Sequence, residues 1–427
     1  MKLGSLFDGS GGFPLAGALC GIEPVWAAEI EPYPIAVTRS RFPGMKHLGN
    51  VSLINGAEIE PVDIVSFGSP CQDLSVAGLR RGLKHEGNGD DETTRSGLFM
   101  EAVRIIKEMR EATSGRFPRF VIWENVPGAF SSTKGEDFRV VLQEIIRIIE
   151  PEAVMPAVPQ GGWAYADCYC GDGWSLAYRV LDSQFIRTAQ RRRRIYLIAD
   201  FASERAKRIL FDRESLRRFS GQGGTPWEAT SAYTQGSTGA DDRDGESTGG
   251  TGGRQPDAVT AYDIGNGQTN QIQPRDKIGA LNCMHDQRAV VCRQGSFAAY
   301  VEGEFGTLKA AGGEFGAGSE TLIIEKPRYI VRRLTPTECA RLQGFPDRWG
   351  DIDHKDALTD EEYAFWLDVR NTHAAINGKQ TKDYTPRQML TWYNKLHTNS
   401  AEYKMWGNGC ALPCALYAME GIAEEAE

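Results

Sequence analysis

The chain lacks the cysteine pattern of a disulfide-bonded or zinc-binding protein. Its 427 residues include nine cysteines, scattered and odd in number, whereas disulfide frameworks belong mainly to short secreted chains. The close pair Cys168 and Cys170 has the wrong spacing for half of a structural zinc site, and no matching Cys or His pair follows it. We expect reduced thiols and no bound metal.

The chain also lacks any segment that calls for a membrane or a secretory route. Residues 1–8 lead directly into a short strand and a glycine-rich turn, without the apolar core or cleavage site of a signal peptide. The apolar and charged fractions, 41% and 25%, are ordinary for a globular protein. These features predict a cytoplasmic protein without membrane attachment.

Positive charge is in deficit overall, since the formal net charge is −9. This balance argues mildly against nucleic acid, because phosphate binding needs a positive surface. The segment from Arg187 to Arg218, however, contains eleven Lys and Arg residues and only four Asp and Glu residues. A basic stretch in an acidic protein suggests a directed site for a polyanion, although residues 204–218 also fit a solvated helical face.

Short apolar runs alternate with helical patterns over the first 200 residues. Residues 98–109 and 138–149 carry apolar side chains at helical spacing. The runs that read as strands are residues 3–7, 25–28, 64–67, 120–123, 176–181 and 195–199. This alternation predicts an α/β fold with a mostly parallel, doubly wound, Rossmann-like sheet.

The composition changes after Phe201. Residues 220–256 are dominated by Gly, Ser, Thr and Asp, so we interpret them as a low-complexity loop that cannot form a core. The apolar spacing of the carboxyl-terminal tail resembles the opening domain. We therefore predict a first domain of residues 1–200 completed by 401–427, and a smaller, mostly β or irregular domain of residues 201–400.

One cysteine follows a predicted strand, at the edge of the sheet where open α/β proteins bind their ligands. The strand-like run of residues 62–67 ends at Gly-Ser-Pro and delivers Cys71 to the carboxyl edge of the sheet. Cys71 is therefore a candidate nucleophile, and a small buried apolar residue is the alternative.

A glycine-rich loop of residues 7–13 follows the first strand and opens a helix. Such glycines let a ligand approach the backbone, and the helix start offers free N–H groups to an anion. The loop fits a dinucleotide fingerprint badly. Glu29 lies about twenty residues further on, where a carboxylate can accept both ribose hydroxyls of a nucleoside cofactor.

These segments resemble the cytosine-C5 DNA methyltransferases of bacteria and phages, in the order of that family. The motifs that carry the resemblance are residues 5–12, 68–72, 123–126, 190–194, 333–346 and 403–409. The resemblance implies S-adenosylmethionine as cofactor, with Phe7 on the adenine and Glu29 on the ribose. The cofactor-binding residues that it implies are Phe7, Gly9, Gly11, Gly12, Glu29, Asn50, Pro70, Leu98 and Asn408. Two positions depart from the family, because Asn50 replaces the usual Asp and Gly409 the usual Ser.

The resemblance also implies the chemistry. Cys71 would add to carbon 6 of a flipped cytosine, Glu124 would bind N3 and the exocyclic amine, and Arg194, with Arg192, would steady the carbonyl side and the thiolate. The target-binding residues that it implies are Gln72, Asn125, Val126 and Gln190. Residues 257–325 occupy the place of the family's target-recognition domain.

The predicted function is DNA (cytosine-5-)-methylation of double-stranded DNA by a monomer. A cognate restriction endonuclease acting separately is left open. A tRNA-methylating relative is one alternative, which the long segment of residues 201–325 disfavours. A catalytically idle regulator is another, but it would be expected to have lost Cys71, Glu124 or Arg194. A nicotinamide dehydrogenase would explain the glycine loop and Glu29, yet leaves Cys71 and Glu124 without a role.

Overall fold

The computed structural model describes residues 1–69, 97–186, 188–211 and 334–426, together with the backbone of four short strands between residues 262 and 333. Its centre is an eight-stranded sheet with the order β3-β2-β1-β4-β5-β8-β7-β6. The strands are β1 (Lys2–Leu6), β2 (Glu23–Ala28), β3 (Lys46–His47), β4 (Ile64–Phe67), β5 (Phe120–Asn125), β6 (Ala166–Gly171), β7 (Trp174–Asp182) and β8 (Arg193–Asp200).

The sheet is parallel in one part and antiparallel in the other. Strands β3, β2, β1, β4 and β5 run parallel, as the sequence predicts, whereas β8, β7 and β6 are antiparallel to their neighbours. A two-residue turn with Gly173 at φ 76° joins β6 to β7, and so tight a turn can only reverse the chain. The α/β prediction is confirmed, and the sheet is mixed.

Four further strands form two separate antiparallel pairs. Strand β9 (Tyr262–Ile264) pairs with β10 (Ile272–Pro274), and β11 (Leu322–Glu325) pairs with β12 (Ile330–Arg333). Short strands are what the sequence predicts for this part of the chain.

Helices cover both faces of the large sheet. The helices are α1 (Gly12–Leu19), α2 (Pro32–Arg41), α3 (Leu98–Ala112), α4 (Glu136–Ile146), α5 (Ala206–Phe211), α6 (Pro336–Leu342), α7 (Asp360–Ile376), α8 (Pro386–Tyr393), α9 (Asn399–Asn408) and α10 (Leu412–Ala426). Helices α3 and α4 pack on one face, and α1, α5, α6, α9 and α10 share a core with the other. Alternating strand residues supply the two cores, as the period of two requires. None of the described helices is both long and apolar enough to cross a membrane.

Residues 351–400 add a helical layer against α2. Two of its helices begin with a capping box, in which Thr359 pairs with Glu362 and Thr385 with Gln388. Helices α7 and α8 bury a small core with α2. Within the stretch assigned from the sequence to a second domain, this described part is helical.

The carboxyl-terminal helix α10 lies in the same core as β1 and α1. Its Ala415 and Ala418 are fully buried. The Tyr417 hydroxyl donates to the Leu210 carbonyl at 3.0 Å, and the Leu412 amide donates to the Gln343 carbonyl at 2.9 Å. Residues from both ends of the chain therefore bury one apolar surface.

We predict that Ala418→Asp destabilises the fold by about 3 kcal/mol, because it places an unpaired carboxylate in this core. Chemical denaturation followed by far-ultraviolet circular dichroism measures the change. Glu424→Gln, on the exposed side of the same helix, is the control and should shift stability by about 0.5 kcal/mol or less. Equal stability of the two variants would contradict the contribution of α10 to the core.

Candidate active site

The glycine-rich loop between β1 and α1 has an unusual backbone. Phe7, Gly9 and Gly11 have φ angles of 56°, 56° and 76°, a region that favours glycine and strains a side chain such as that of Phe7. The Gly11 amide donates to the Asp8 carbonyl at 3.1 Å, closing a turn before α1. Helix α1 therefore starts at a tight, largely buried loop, and helix starts of this kind suit an anionic group.

Glu29, immediately after β2, is hydrogen-bonded to this loop. Its Oε2 accepts from the Gly9 amide at 2.8 Å, and its Oε1 accepts from the amides of Ile30 and Glu31 at 2.7 and 2.9 Å. Burial raises the pKa of the carboxyl. Oε1 already accepts two hydrogen bonds, whereas Oε2 accepts one and keeps a second lone pair for a hydroxyl group beside the loop.

Two polar residues of the loop were not singled out from the sequence. Asp8 is 7% exposed, and its Oδ1 accepts from the Ser5 hydroxyl at 2.7 Å. Burial, with a smaller contribution from the Glu29 charge, raises the pKa of Asp8 to about 8. Among the described residues, neither Asp8 Oδ2 nor Ser10 Oγ has a hydrogen-bond partner. An acidic residue directly after a strand and before two glycines is the signal that could have identified Asp8.

The other predicted cofactor residues lie at several places around the sheet. Asn50 accepts from the Ser52 amide at 3.1 Å and so caps a short 3-10 turn. Leu98 begins α3 and is half-buried, and Asn408, the last residue of α9, is exposed. Their contacts with a cofactor stay predictions.

The end of β4 is bound to β5. Asn125 Nδ2 donates to the Ser69 carbonyl at 3.1 Å, and Trp123 Nε1 donates to Ser69 Oγ at 3.2 Å. A Cβ atom on Gly68 would lie 3.2 Å from Glu124 Oε2, so the strand end passes close to this carboxylate. Val126 follows, its amide donating to Asn125 Oδ1 at 2.8 Å. The predicted residues that follow Ser69 lie outside the described residues, namely Pro70, Cys71 and Gln72.

Glu124 forms a shielded ion pair with Arg194. Glu124 Oε1 lies 3.1 Å from Arg194 Nε, and the two side chains are 13% and 10% exposed. Glu124 is paired with Tyr196 across β5 and β8, so Arg194 approaches from the start of the neighbouring strand. A charge pair with so little access to water interacts more strongly than one on the surface. The structure thus brings together two of the residues predicted to act on a substrate.

Arg192 and Gln190 lie deeper than the sequence suggests. Arg192 is 1% exposed, its Nη2 donates to the Gly409 carbonyl, and burial, helped by the Arg194 charge, lowers its pKa to about 9. Gln190 is fully buried, and its carbonyl accepts from the Ser183 hydroxyl at 2.6 Å. Among described atoms, the Gln190 side-chain amide has no hydrogen-bond partner.

Part of the basic stretch is engaged within the protein. Arg192 and Arg194 are buried, while Arg205 and Arg208 bind the carbonyl and carboxylate of Glu425 in α10. These four side chains are engaged within the protein and are less available to a polyanion. The basic site for a polyanion stays a prediction.

The closing motif packs directly on the glycine loop. A Cβ on Gly12 would overlap with Cys410 Sγ, and a Cβ on Gly409 would lie 2.6 Å from Ser10 Oγ. The latter contact explains why Gly stands at 409 where the resembling family has Ser. Trp349 Nε1 donates to the Ser10 carbonyl at 2.8 Å, adding a third segment to the same contact.

Among the described residues, no group of three or more His, Cys, Asp or Glu side chains could hold a metal ion. Cys168 and Cys170 lie exposed on β6.

The family model of the C-5 cytosine-specific DNA methylase matches residues 1–148 and 170–361, which is most of the chain. The chain belongs to this family. The resemblance inferred from the six motifs is thereby confirmed.

The chain is also similar to named methyltransferases. The chain is 27% identical to a protein of Escherichia phage P1 named DNA N-6-adenine-methyltransferase, across 96% of the chain and 59% of that protein. It is 34% identical to the type II methyltransferase M.HhaI of Haemophilus parahaemolyticus over 136 residues, covering 32% of the chain and 37% of that enzyme. The chain spans from 32% to 59% of the length of the first four curated relatives.

Solved structures are similar in fold. The S. pombe Dnmt2 methyltransferase aligns with a TM-score of 0.56 at 14% identity, covering 100% of this chain and 99% of that one. This likeness supports the Rossmann-like methyltransferase fold.

We predict that Gly12→Ala destabilises the protein by about 2 kcal/mol through the overlap with Cys410 Sγ. Cys410→Ala removes that sulfur, so the double variant should recover about 1 kcal/mol relative to the sum of the single changes. Thermal and chemical denaturation measure the coupling. Gly44→Ala is the matched control, since its added Cβ would meet nothing within 4 Å. Strict additivity of Gly12→Ala and Cys410→Ala would contradict the contact.

Proposed function

We propose that this chain is a DNA (cytosine-5-)-methyltransferase that uses S-adenosylmethionine. The observation that carries the proposal is the shielded Glu124–Arg194 ion pair at the end of β5, beside the Gly68–Ser69 segment that leads to Cys71. Membership of the C-5 cytosine-specific DNA methylase family supports the same chemistry.

The loop after β1 fits the proposed cofactor. Gly9 and Gly11 let a ligand approach the backbone, Glu29 Oε2 offers a lone pair to a ribose hydroxyl, and Phe7 stands at the end of β1 for the adenine. Two buried polar atoms of the loop, on Asp8 and Ser10, have no hydrogen-bond partner among the described residues. S-adenosylmethionine, when bound, supplies the methyl group.

The proposed reaction uses a covalent step at the base. The Cys71 thiolate adds to carbon 6 of a cytosine extruded from the duplex, and the electron pair of the C5–C6 double bond moves through the ring to N3. Glu124, once protonated, gives its proton to N3, which makes carbon 5 nucleophilic, and takes this proton back when the thiolate leaves. After methylation, loss of the C5 proton to solvent lets the thiolate leave and restores the double bond.

Arg194 is proposed to act by charge. Its guanidinium holds the Glu124 carboxyl in place and stabilises negative charge on the cytosine carbonyl side. Arg192, whose Nη2 is bound to Gly409, would contribute at longer range by holding the closing motif against the site. Asn125, Val126, Gln190 and Gln72 are proposed to line the pocket of the extruded base.

We further propose that the enzyme binds double-stranded DNA as a monomer in the cytoplasm. Residues 257–325 are proposed to read the DNA sequence, because they lie between the arginine motif and the motif of residues 333–346, and because base edges are read by polar side chains of the kind that they carry. Whether a separate restriction endonuclease shares the target is a question of genetic context.

Nucleoside analysis distinguishes this proposal from adenine methylation, the activity in the name of the phage P1 relative. The N6 amine of adenine can attack a methyl donor directly, so it needs no thiolate and gives Cys71 no role. Plasmid from a host that expresses the chain should contain 5-methylcytosine by mass spectrometry, and bisulfite sequencing should show its context. N6-methyladenine alone would refute the proposal. Methylated tRNA without methylated DNA would point to the tRNA alternative.

We predict that Cys71→Ser abolishes methyl transfer and leaves cofactor affinity within about twofold, because the hydroxyl is a far weaker nucleophile than a thiolate. Tritiated methyl incorporation and calorimetry measure the two effects. Duplex DNA with 5-fluorocytosine at the target should give a gel-stable adduct with the native chain and none with the variant. Near-normal turnover of Cys71→Ser would refute the role of Cys71, and Cys170→Ser, an exposed thiol on β6, is the control.

We predict that exchanging residues 257–325 for those of a relative with a different known target changes the methylated sequence and leaves the chemistry intact. The reason is that base-edge contacts, and not the catalytic groups, decide which sequence is bound. Sequencing of the methylated DNA reads the outcome. An active chimera that keeps the original target would place recognition elsewhere, with residues 351–400 as the next segment to exchange.

A further inference from the structure

Two carboxylates, Asp8 of the glycine-rich loop and Glu29 bound to it, have no neighbouring cation. Asp8 accepts from the Ser5 hydroxyl, and Glu29 accepts from three backbone amides. Within the described part of the chain, no Lys, Arg or His forms an ion pair with either residue. Two negative groups in one poorly solvated place repel each other and favour a positive charge between or beside them.

One carboxylate oxygen of this pair is buried and unused. Asp8 is 7% exposed, and its Oδ2 has no hydrogen-bond partner among the described residues. A buried oxygen without a partner destabilises the fold, more so when charged, so such groups are rare in native proteins unless a ligand or water completes them. Ser10, which is 1% exposed, has an unpartnered hydroxyl in the same loop.

The position of Asp8 relative to Glu29 indicates which part of a ligand it meets. Glu29 marks the ribose side of the proposed cofactor, and the loop continues through Gly9 and Gly11 to the start of α1. The far end of the ligand would therefore lie along residues 8–12. In S-adenosylmethionine that end carries two positive charges, the sulfonium and the α-ammonium.

We propose that Asp8 binds the cationic methionine end of S-adenosylmethionine. The inference rests on the proposed cofactor and adds to it a residue that contacts the ligand by charge. Asp8 would favour the ligand that carries the cation, and the Ser5 hydroxyl would hold the carboxylate in place through Oδ1.

Protonation of Asp8 should then control affinity. The pKa of Asp8 without ligand is raised to about 8, mainly by burial, so the acid is largely neutral at pH 7. Binding a cation favours the ionised form, so binding releases a proton below pH 8 and affinity rises as pH rises towards 8.5. The titratable groups that face Asp8 are Glu29 from the β2 loop and Cys410, whose pKa is raised to about 12 by burial.

Calorimetry of the full chain tests the proposal. Titrations with S-adenosylmethionine at pH 7, in buffers of different ionisation enthalpy, should show release of about half a proton by the native chain and close to none by Asp8→Asn. The variant should bind about tenfold more weakly at pH 8.5 and nearly equally at pH 6.5, as expected for loss of a charge-assisted hydrogen bond. Wild-type affinity and proton release in Asp8→Asn would overturn the proposal.

Three ligands identify the cation. S-adenosylhomocysteine keeps the ammonium and lacks the sulfonium, so a loss of affinity shared by both ligands assigns the contact to the ammonium. A loss confined to S-adenosylmethionine assigns it to the sulfonium. 5′-Methylthioadenosine has neither charge and should bind both proteins alike, whereas an equal loss for this ligand would show that Asp8 acts only on the loop structure and would overturn the proposal.

Two further variants control for folding. Asp137→Asn alters another buried aspartate, which accepts from Thr133 and lies in α4, and should leave proton release unchanged. Ser5→Ala removes the donor that lowers the pKa of Asp8, so the pH dependence should move upward even if Asp8→Asn folds poorly; an unmoved pH dependence would count against Asp8. If the native chain bound S-adenosylmethionine at no pH, the proposed function itself would fail.

Discussion

The contact between the glycine loop after β1 and the Gly409–Cys410 turn is the constraint on which the rest of the site depends. Neither Gly12 nor Gly409 has room for a Cβ, because Cys410 Sγ and Ser10 Oγ occupy that space. Segments far apart in the chain hold this contact: Arg192 binds the Gly409 carbonyl, and Gln343 Nε2 binds the Trp406 carbonyl at 2.6 Å. The loop can keep its positive φ angles because neighbours on several sides fix it. The glycine-rich loop near the start of the chain is therefore positioned by contacts with the last twenty residues.

Buried charge sets the chemical character of the other half of the site. The Glu124–Arg194 pair has little contact with water, so each charge is sensitive to any group placed beside it. Arg192 adds a second guanidinium whose pKa is lowered to about 9 by burial and by Arg194. An acidic protein can thus present a locally positive interior, which is what the proposed thiolate and cytosine carbonyl would require.

Local patterns in the sequence predicted the parts of the fold that local chemistry decides. The run Ile64–Phe67 was identified with its bounds as a strand because it is apolar and ends at glycine. Strand β6 was not, because its residues are largely exposed at the sheet edge and form no apolar run. The antiparallel half of the sheet, and the bond between Arg192 and Gly409, depend on pairing across long separations that no periodicity records. The sequence shows Asp8 only as one residue of the glycine-rich motif. Its raised pKa could not be predicted, because it arises from burial in the fold.

Residues 351–400 show how an added segment can bear on a site that it does not enter. Glu31 follows Glu29 closely, and its amide donates to the Glu29 carboxylate at 2.9 Å. Two helices hold the Glu31 side chain: His373 of α7 lies 3.6 Å away and Lys404 of α9 lies 2.8 Å away. Together they lower the pKa of Glu31 to about 2, with His373 contributing most, so this carboxylate stays ionised at any ordinary pH. The helical layer on α2 and the carboxylate proposed for the ribose are therefore joined by one continuous set of charged and backbone contacts. A change in how α7 packs on α2 would therefore have a route to Glu29 through Glu31.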